Sequence, residues 1–296
     1  MSLSVIQGAL ELGLIFAIMS LGIFISFRIL NIPDLTIDGT FTLGTSVSAI
    51  FAVNGHPVLG VILAMVAGGL AGCVTGFLQT KMKVQPILAG ILTMTALYSV
   101  NLRVMGQKPN LSLFDKESIF SGLTQLMGEQ YANLMMIALI LIISLLAIYF
   151  FLKTQLGMSL RATGDNEDMV RASSINSDAM KIMGLAIANA FVALAGAILA
   201  QYQSFSDVSG GIGMMVIGLA SIIVGEAIFG RKSILRSLLA VVVGAVIYRF
   251  VLTIALRIGL EAGDLKLFSA ILVTIAICIP TLKGFIMKRR SRRAKN

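Results

Sequence analysis

Long apolar runs separated by short polar stretches dominate the pattern along this chain. Val5 to Leu30, Val58 to Thr80 and Ala132 to Leu152 are each long enough to cross a hydrocarbon layer roughly 30 Å thick as helices. Further segments are expected near Pro86 to Val104, Ile182 to Gln201, Gly213 to Phe229, Ser237 to Ile258 and Leu267 to Met287. The run from Gly39 to Val53 is too short to span comfortably. It follows N-I-P-D-L-T-I-D-G-T, where Pro33 and Gly39 interrupt the apolar pattern, and reads as a broken second segment that spans or re-enters. The pattern predicts an all-α, polytopic membrane protein of about nine segments, forming one domain over residues 1–296.

Composition reinforces this. The chain has 296 residues, of which 57% are hydrophobic, and its mean hydropathy is +0.94. A soluble domain cannot hide that much apolar surface, and the spans leave no room for a large soluble domain. The net charge of +9 does not point to nucleic acid, because Lys288, Arg289, Arg290, Arg292, Arg293 and Lys295 form a tail after an apolar span. Such a tail meets anionic lipid and marks an inner face. Lys81 and Lys83, then Lys153, Arg161, Arg171 and Lys181, then Arg231, Lys232 and Arg236 mark the other inner loops. They alternate correctly for nine spans with the N-terminus outside and the C-terminus inside. The first positive charge is Arg28, whereas a secretory signal carries its charge ahead of the apolar run, so the first run is expected to be a retained helix.

Little in the chain points to catalysis. Cys73 and Cys278 lie inside apolar runs and His56 has no companions, so neither a disulfide nor a metal site is indicated. There is no H-E-x-x-H and no Ser/His pairing, and no cofactor is expected. G-E-A-I-F-G-R-K-S, Gly225 to Ser233, is one residue away from a P-loop, but Arg231 breaks the spacing and the stretch ends a membrane helix. Any ATPase must be a separate subunit.

The conspicuous polar stretch is Gly157 to Ile175, within a charged inner loop over residues 153–181. Asp165 is the expected N-cap of a short helix, with Asp168 three residues later supporting its first turn and Met169, Ala172 and Ser173 on its apolar face. Charge alone also fits an ordinary solvated loop. The sequence L-R-A-T-G-D-N-E-D-M-V-R-A-S-S-I resembles the R-A-x-G-x-N-x-x-A-A-x-x-x-G-I segment of the permeases for branched-chain amino acids and simple sugars, subunits of ATP-binding-cassette importers. Arg161, Ala162, Gly164, Asn166, Ala172 and Ile175 match; Arg171 and Ser174 depart from the usual Ala and Gly. In that family the segment is the helix that docks on the ATPase, so the resemblance implies a coupling role for Arg161, Ala162, Gly164, Asp165, Asn166, Glu167, Asp168 and Arg171. It also implies a cytoplasmic ATPase, an extracytoplasmic substrate-binding protein and a second permease copy. A further similarity is to a less characterised branch whose binding proteins favour amino acids, aromatic ones among them.

Two other regions carry the resemblance. Asn31 to Gly44 is similar to a broken element that borders the family's translocation path, which singles out Asn31, Asp34, Asp38 and Gly39. The residues themselves equally allow both aspartates to cap helix starts at the inner edge. Gly211 to Arg231 is similar to a glycine-rich family pattern in which Glu226 replaces the usual second Gly. A buried acid is costly unless paired or wet, so Glu226 either lines a path or pairs with Arg231 or Lys232. Independently of family, Gly68, Gly72 and Gly76 form a ridge at four-residue spacing that lets another helix approach closely. Arg249 lies roughly 20 Å along an ideal helix from Arg236 at about 1.5 Å per residue, a depth comparable to Glu11, so a Glu11–Arg249 ion pair is expected. The long connection Met105 to Tyr131 reads as an outer docking platform or as a solvated loop. The rival to an importer is an ion-coupled secondary transporter or channel using Asp34, Asp38 or Glu226.

Overall fold

The computed structural model describes residues 3–122, 129–264, 267–271 and 274. The described chain is nearly all helical, and seven of its helices are long and apolar enough to cross a membrane. Helix α1 (Leu3–Phe24) continues into a π-helical turn, Ile25–Ile29. Then come α2 (Thr36–Val53), α3 (Pro57–Thr80) and α4 (Pro86–Val104), the two latter opening on a proline at a position where no N–H is needed. A short strand β1 (Asn110–Ser112) precedes α5 (Glu129–Lys153). Two polar helices follow, α6 (Gln155–Asp165) and α7 (Glu167–Ala172). The chain continues through α8 (Ser177–Gln203), β2 (Phe205–Asp207), the shorter apolar α9 (Met214–Phe229) and α10 (Ile234–Arg257). The expected ninth segment, Leu267 to Met287, and the basic tail lie largely or wholly outside the described residues.

Helices α1, α2 and α8 form the buried centre, while α3, α4 and α5 are covered on one side only. Their outer faces carry Val58, Ile62, Leu70, Phe77, Ile142 and Ile143 in the open. Helices apolar all round are membrane spans, and this belt is the surface that lipid or another chain would cover.

Two successive helix pairs of opposite sense organise the centre. Helix α1 runs toward the end that carries α6 and α7, turns at residues 30–35 and returns as α2. Helix α8 starts at that charged end, where Asp178 meets Lys81 after α3, runs the other way, turns, and returns as α9. At its far end β2 pairs antiparallel with β1, Leu111 opposite Ser206. Helix α3 packs along α8, and α10 packs along α1 and α9. The small-residue ridge of α3 explains its contact: a Cβ on Gly76 would stand 2.8 Å from the Ile182 Cα, and one on Gly72 would strike the Leu185 carbonyl.

The connection after α4 is not a free solvated loop over its described part. Beyond β1, Leu113 is buried, the Ile119 N–H donates to Gln201, and Phe120 stands edge-on to Tyr202.

Candidate functional site

The break between α1 and α2 is held by side chains. Asn31 is exposed and takes a left-handed conformation (φ 57°), which asparagine tolerates. Asp34 is buried; it accepts the Thr36 N–H at 2.9 Å and the Asn189 amide at 2.7 Å. The Thr36 hydroxyl meets that of Thr75, one and a half turns before the end of α3, so α2 begins inside the bundle. Asp34 therefore holds the start of α2 through the Thr36 N–H, from inside the bundle and not from its edge.

Asp38 caps a different helix. Its two carboxylate oxygens accept the Gly213 N–H at 2.8 Å and the Met215 N–H at 2.9 Å, at the start of α9. These are among the orphan donors of a helix N-terminus, where the helix dipole also favours an anion. The starts of α2 and α9, arriving from opposite ends of the bundle, thus meet at one carboxylate. The approach requires glycine: a Cβ on Gly211 would overlap the Asp38 carbonyl, and Gly213 has φ 92°. Gly39 is buried, and its carbonyl accepts from Asn101. Asp38, Gly39, Thr42, Tyr98 and Ile212 line a cavity of about 240 Å³.

The other end of α9 is gripped by charge. Glu226 is buried and pairs with Arg231 at 2.7 Å, as the sequence allows, and also with Arg28 at 2.5 Å. Arg28 sits in the π-helical turn, so the bond joins the end of α1 to the end of α9. The same turn carries α6, because a Cβ on Gly164 would overlap the Ile29 carbonyl. A continuous series of contacts therefore runs from α6 through the π-turn to Glu226, along α9, and on to Asp38 of α2.

The polar stretch forms two helices, not one. Thr154 caps α6, its hydroxyl accepting the Gly157 N–H. Asp165 is the last residue of α6 and not the expected cap; Asn166, with extended backbone, accepts the Met169 N–H and caps α7. Both residue types cap well, and only the one with extended backbone can do so. The apolar face is also displaced: Val170 is buried and Met169 exposed. Glu167 is half-buried and turns toward α8, while Arg171 lies exposed across it. Glu167 accepts from Lys181 at 2.6 Å, Arg171 at 2.8 Å and Ser177 at 3.2 Å, and Arg171 also reaches Asp178. The hydrogen bond from Lys181 holds the Glu167 carboxyl below the usual carboxylate range. Arg161, Asp165, Asp168 and the apolar Leu156, Met158 and Met169 remain exposed, while Ala162 is half-buried.

The expected Glu11–Arg249 ion pair is not formed among the described residues. Glu11 is satisfied by neutral donors, the Tyr202 hydroxyl at 2.8 Å and the Gln7 amide at 3.0 Å. Arg249 lies over the Phe16 ring, 5.7 Å from its centroid, and faces a cavity of about 540 Å³ near the β1–β2 end. Sequence reasoning missed Arg28, Asn189 and Tyr202. Arg28, as a charge near the end of an apolar run, carried a usable signal; the other two did not. Among the described residues no cluster could hold a metal ion.

The model of the branched-chain amino acid transport system permease component matches residues 5–279. The chain is 39% identical over 281 residues to a tyrosine transport system permease protein of Clostridioides difficile, covering 95% of this chain and 92% of that one. It is 35% identical over 283 residues to an uncharacterized protein of Rickettsia prowazekii, covering 93% and 97%. It is 23% identical over 282 residues to a ribose import permease protein of Haemophilus influenzae, covering 94% and 83%. No solved structure matches the chain.

Proposed function

This chain belongs to the family of permease components of branched-chain amino acid transport systems, and from that premise we propose that it is the membrane-spanning subunit of an ATP-driven importer for an amino acid. It is a multi-pass protein of the bacterial plasma membrane. The observation that carries the reading is the seating of Gly164 on the Ile29 carbonyl. It joins an exposed polar surface to the π-turn whose Arg28 grips α9. A π-turn is a local strain within a helix and recurs at functional sites.

In this reading the charged end faces the cytoplasm, with the N-terminus outside and the C-terminus inside. A separate ATPase docks on the outward side of α6 and α7 through Arg161, Asp165, Asp168 and Met169. Closure of the ATPase dimer moves α6 against the π-turn. The Arg28–Glu226 bond then passes the displacement to α9, whose far end rests on Asp38. Ala162, Gly164 and Asn166 shape that lever, while Glu167 and Arg171 tie it to α8. A binding protein delivers substrate at the β1–β2 end, and two copies of the chain form the working pore. The chain itself makes and breaks no covalent bond. An amino-acid substrate is supported by the tyrosine transport relative, at 39% identity over nearly the whole chain; the ribose relative, at 23%, is more distant.

The test is a gentle detergent pull-down of tagged protein from its own membranes, with mass spectrometry. A P-loop ATPase should be recovered with wild type and lost with Arg161→Glu or Asp165→Lys, both at exposed positions where the fold should tolerate the change. Recovery of the chain alone, with uptake abolished by an ionophore and indifferent to ATP, would establish an ion-coupled transporter in its place.

A further inference from the structure

The large cavity near the β1–β2 end contains chemistry that the coupling machinery does not use. It lies between α1, α2, the end of α8 with β2, the start of α9, α10 and residues 269–270. Its volume of about 540 Å³ falls in the range of roughly 300–1,000 Å³ typical of small-molecule sites. Most of its wall is apolar, including Leu199, Ile217 and the exposed ring of Phe205. Two charges of opposite sign line it, Arg249 and Asp207.

Arg249 is the unusual one. Its Nε is buried and makes no hydrogen bond among the described residues, and no carboxylate pairs with it there. Its guanidinium rests on Phe16. A half-buried guanidinium with no anionic partner is underpaired, and a carboxylate is the group whose geometry matches it. Asp207 uses Oδ1 to accept the Ser209 N–H at 2.6 Å and is half-buried, which leaves Oδ2 for a cationic donor.

We propose that this cavity is a subsite for a zwitterionic α-amino acid with a large, flat apolar side chain, whose carboxylate binds Arg249 and whose ammonium binds Asp207. The side chain lies against Phe205 and the aliphatic wall. A monosaccharide offers neither charge and leaves Arg249 unpaired, so the site discriminates against sugars. This assignment rests on the amino-acid reading above and gives it a location.

The experiment uses the purified full chain in lipid nanodiscs and measures binding of tritiated L-tyrosine by scintillation proximity. Unlabelled L-phenylalanine should compete. Tyramine, which lacks the carboxylate, 3-(4-hydroxyphenyl)propionate, which lacks the ammonium, and D-ribose should each compete about thirtyfold more weakly or not at all. Arg249→Gln should weaken L-tyrosine by a similar factor, with Arg249→Lys recovering part of it. Asp207→Asn should narrow the gap between L-tyrosine and 3-(4-hydroxyphenyl)propionate. Should a variant not fold, Ser209→Cys on the rim serves instead: L-tyrosine should protect it from a bulky maleimide, and D-ribose should not. Equal competition by tyramine, unchanged affinity in Arg249→Gln, or no saturable L-tyrosine binding would overturn the subsite. An ATPase recovered with a chain that ignores L-tyrosine would leave the importer reading standing without the subsite; L-tyrosine binding without an ATPase would do the reverse.

Discussion

The two ends of the bundle treat buried charge in opposite ways. At the charged end the described ions are largely paired by charge: Glu226 holds Arg28 and Arg231, and Glu167 holds Lys181 and Arg171, with buried Asp34 held by neutral donors. At the β1–β2 end Arg249 is left facing a cavity, and Glu11 nearby is satisfied by neutral donors. The first arrangement ties helix ends together with ion pairs. The second leaves an opening with an unsatisfied cation in it.

The comparison can be broken by substitution. Glu226→Gln should be the most damaging single change, because it leaves Arg28 half-buried without a counter-charge. Breaking a buried pair costs about 3–5 kcal/mol, and the exposure of Arg231 and part of Arg28 places this case at or below the lower end. Thermal unfolding in detergent measures it. Arg249→Met, by contrast, should leave stability unchanged or raise it, since it removes an unpaired charge. Equal losses in the two variants would mean that the ends do not differ as described.

Gly164→Val tests the lever. It should cost about 1–3 kcal/mol by overpacking against the Ile29 carbonyl, and should lower ATP-coupled uptake by more than the loss of folded protein accounts for. Tyr202→Phe should cost about 1–2 kcal/mol, leaving a buried Glu11 oxygen without its donor. Acid is the mildest probe. Glu167 has its carboxyl held below the ordinary range by Lys181, so its staple between α7 and α8 is fully present above the unfolded carboxylate range. It is lost as pH falls through the lowered folded value. Protection of the α7 amides, corrected for the intrinsic pH dependence of exchange, should therefore fall in wild type as pH drops below the ordinary carboxylate range, and should be already lowered and nearly flat with pH in Glu167→Gln.

Much of this architecture was readable along the chain. The apolar runs locate the long helices to within a few residues, and the glycine ridge of α3 marks a close helix contact. Glu226 as a costly acid near Arg231 was readable too, because the two lie close in sequence. The polar stretch was legible as helical and capped, but its cap moved from Asp165 to Asn166. D-N-E-D offers two capping side chains, and only the backbone chooses between them.

What remained invisible was the choice of partner across distance. Glu11 and Arg249 share a depth by helix arithmetic, yet Tyr202 takes the acid and Phe16 the cation. Nothing local in Asp38 announces that it caps a helix starting at Met214, and nothing in I-S-F-R-I announces a π-turn. Burying apolar surface is additive and short-ranged, so composition and period alone determine that this chain enters a membrane as helices. A buried charge is decided by whichever donor packing brings within about 3 Å, and only the folded bundle makes that selection.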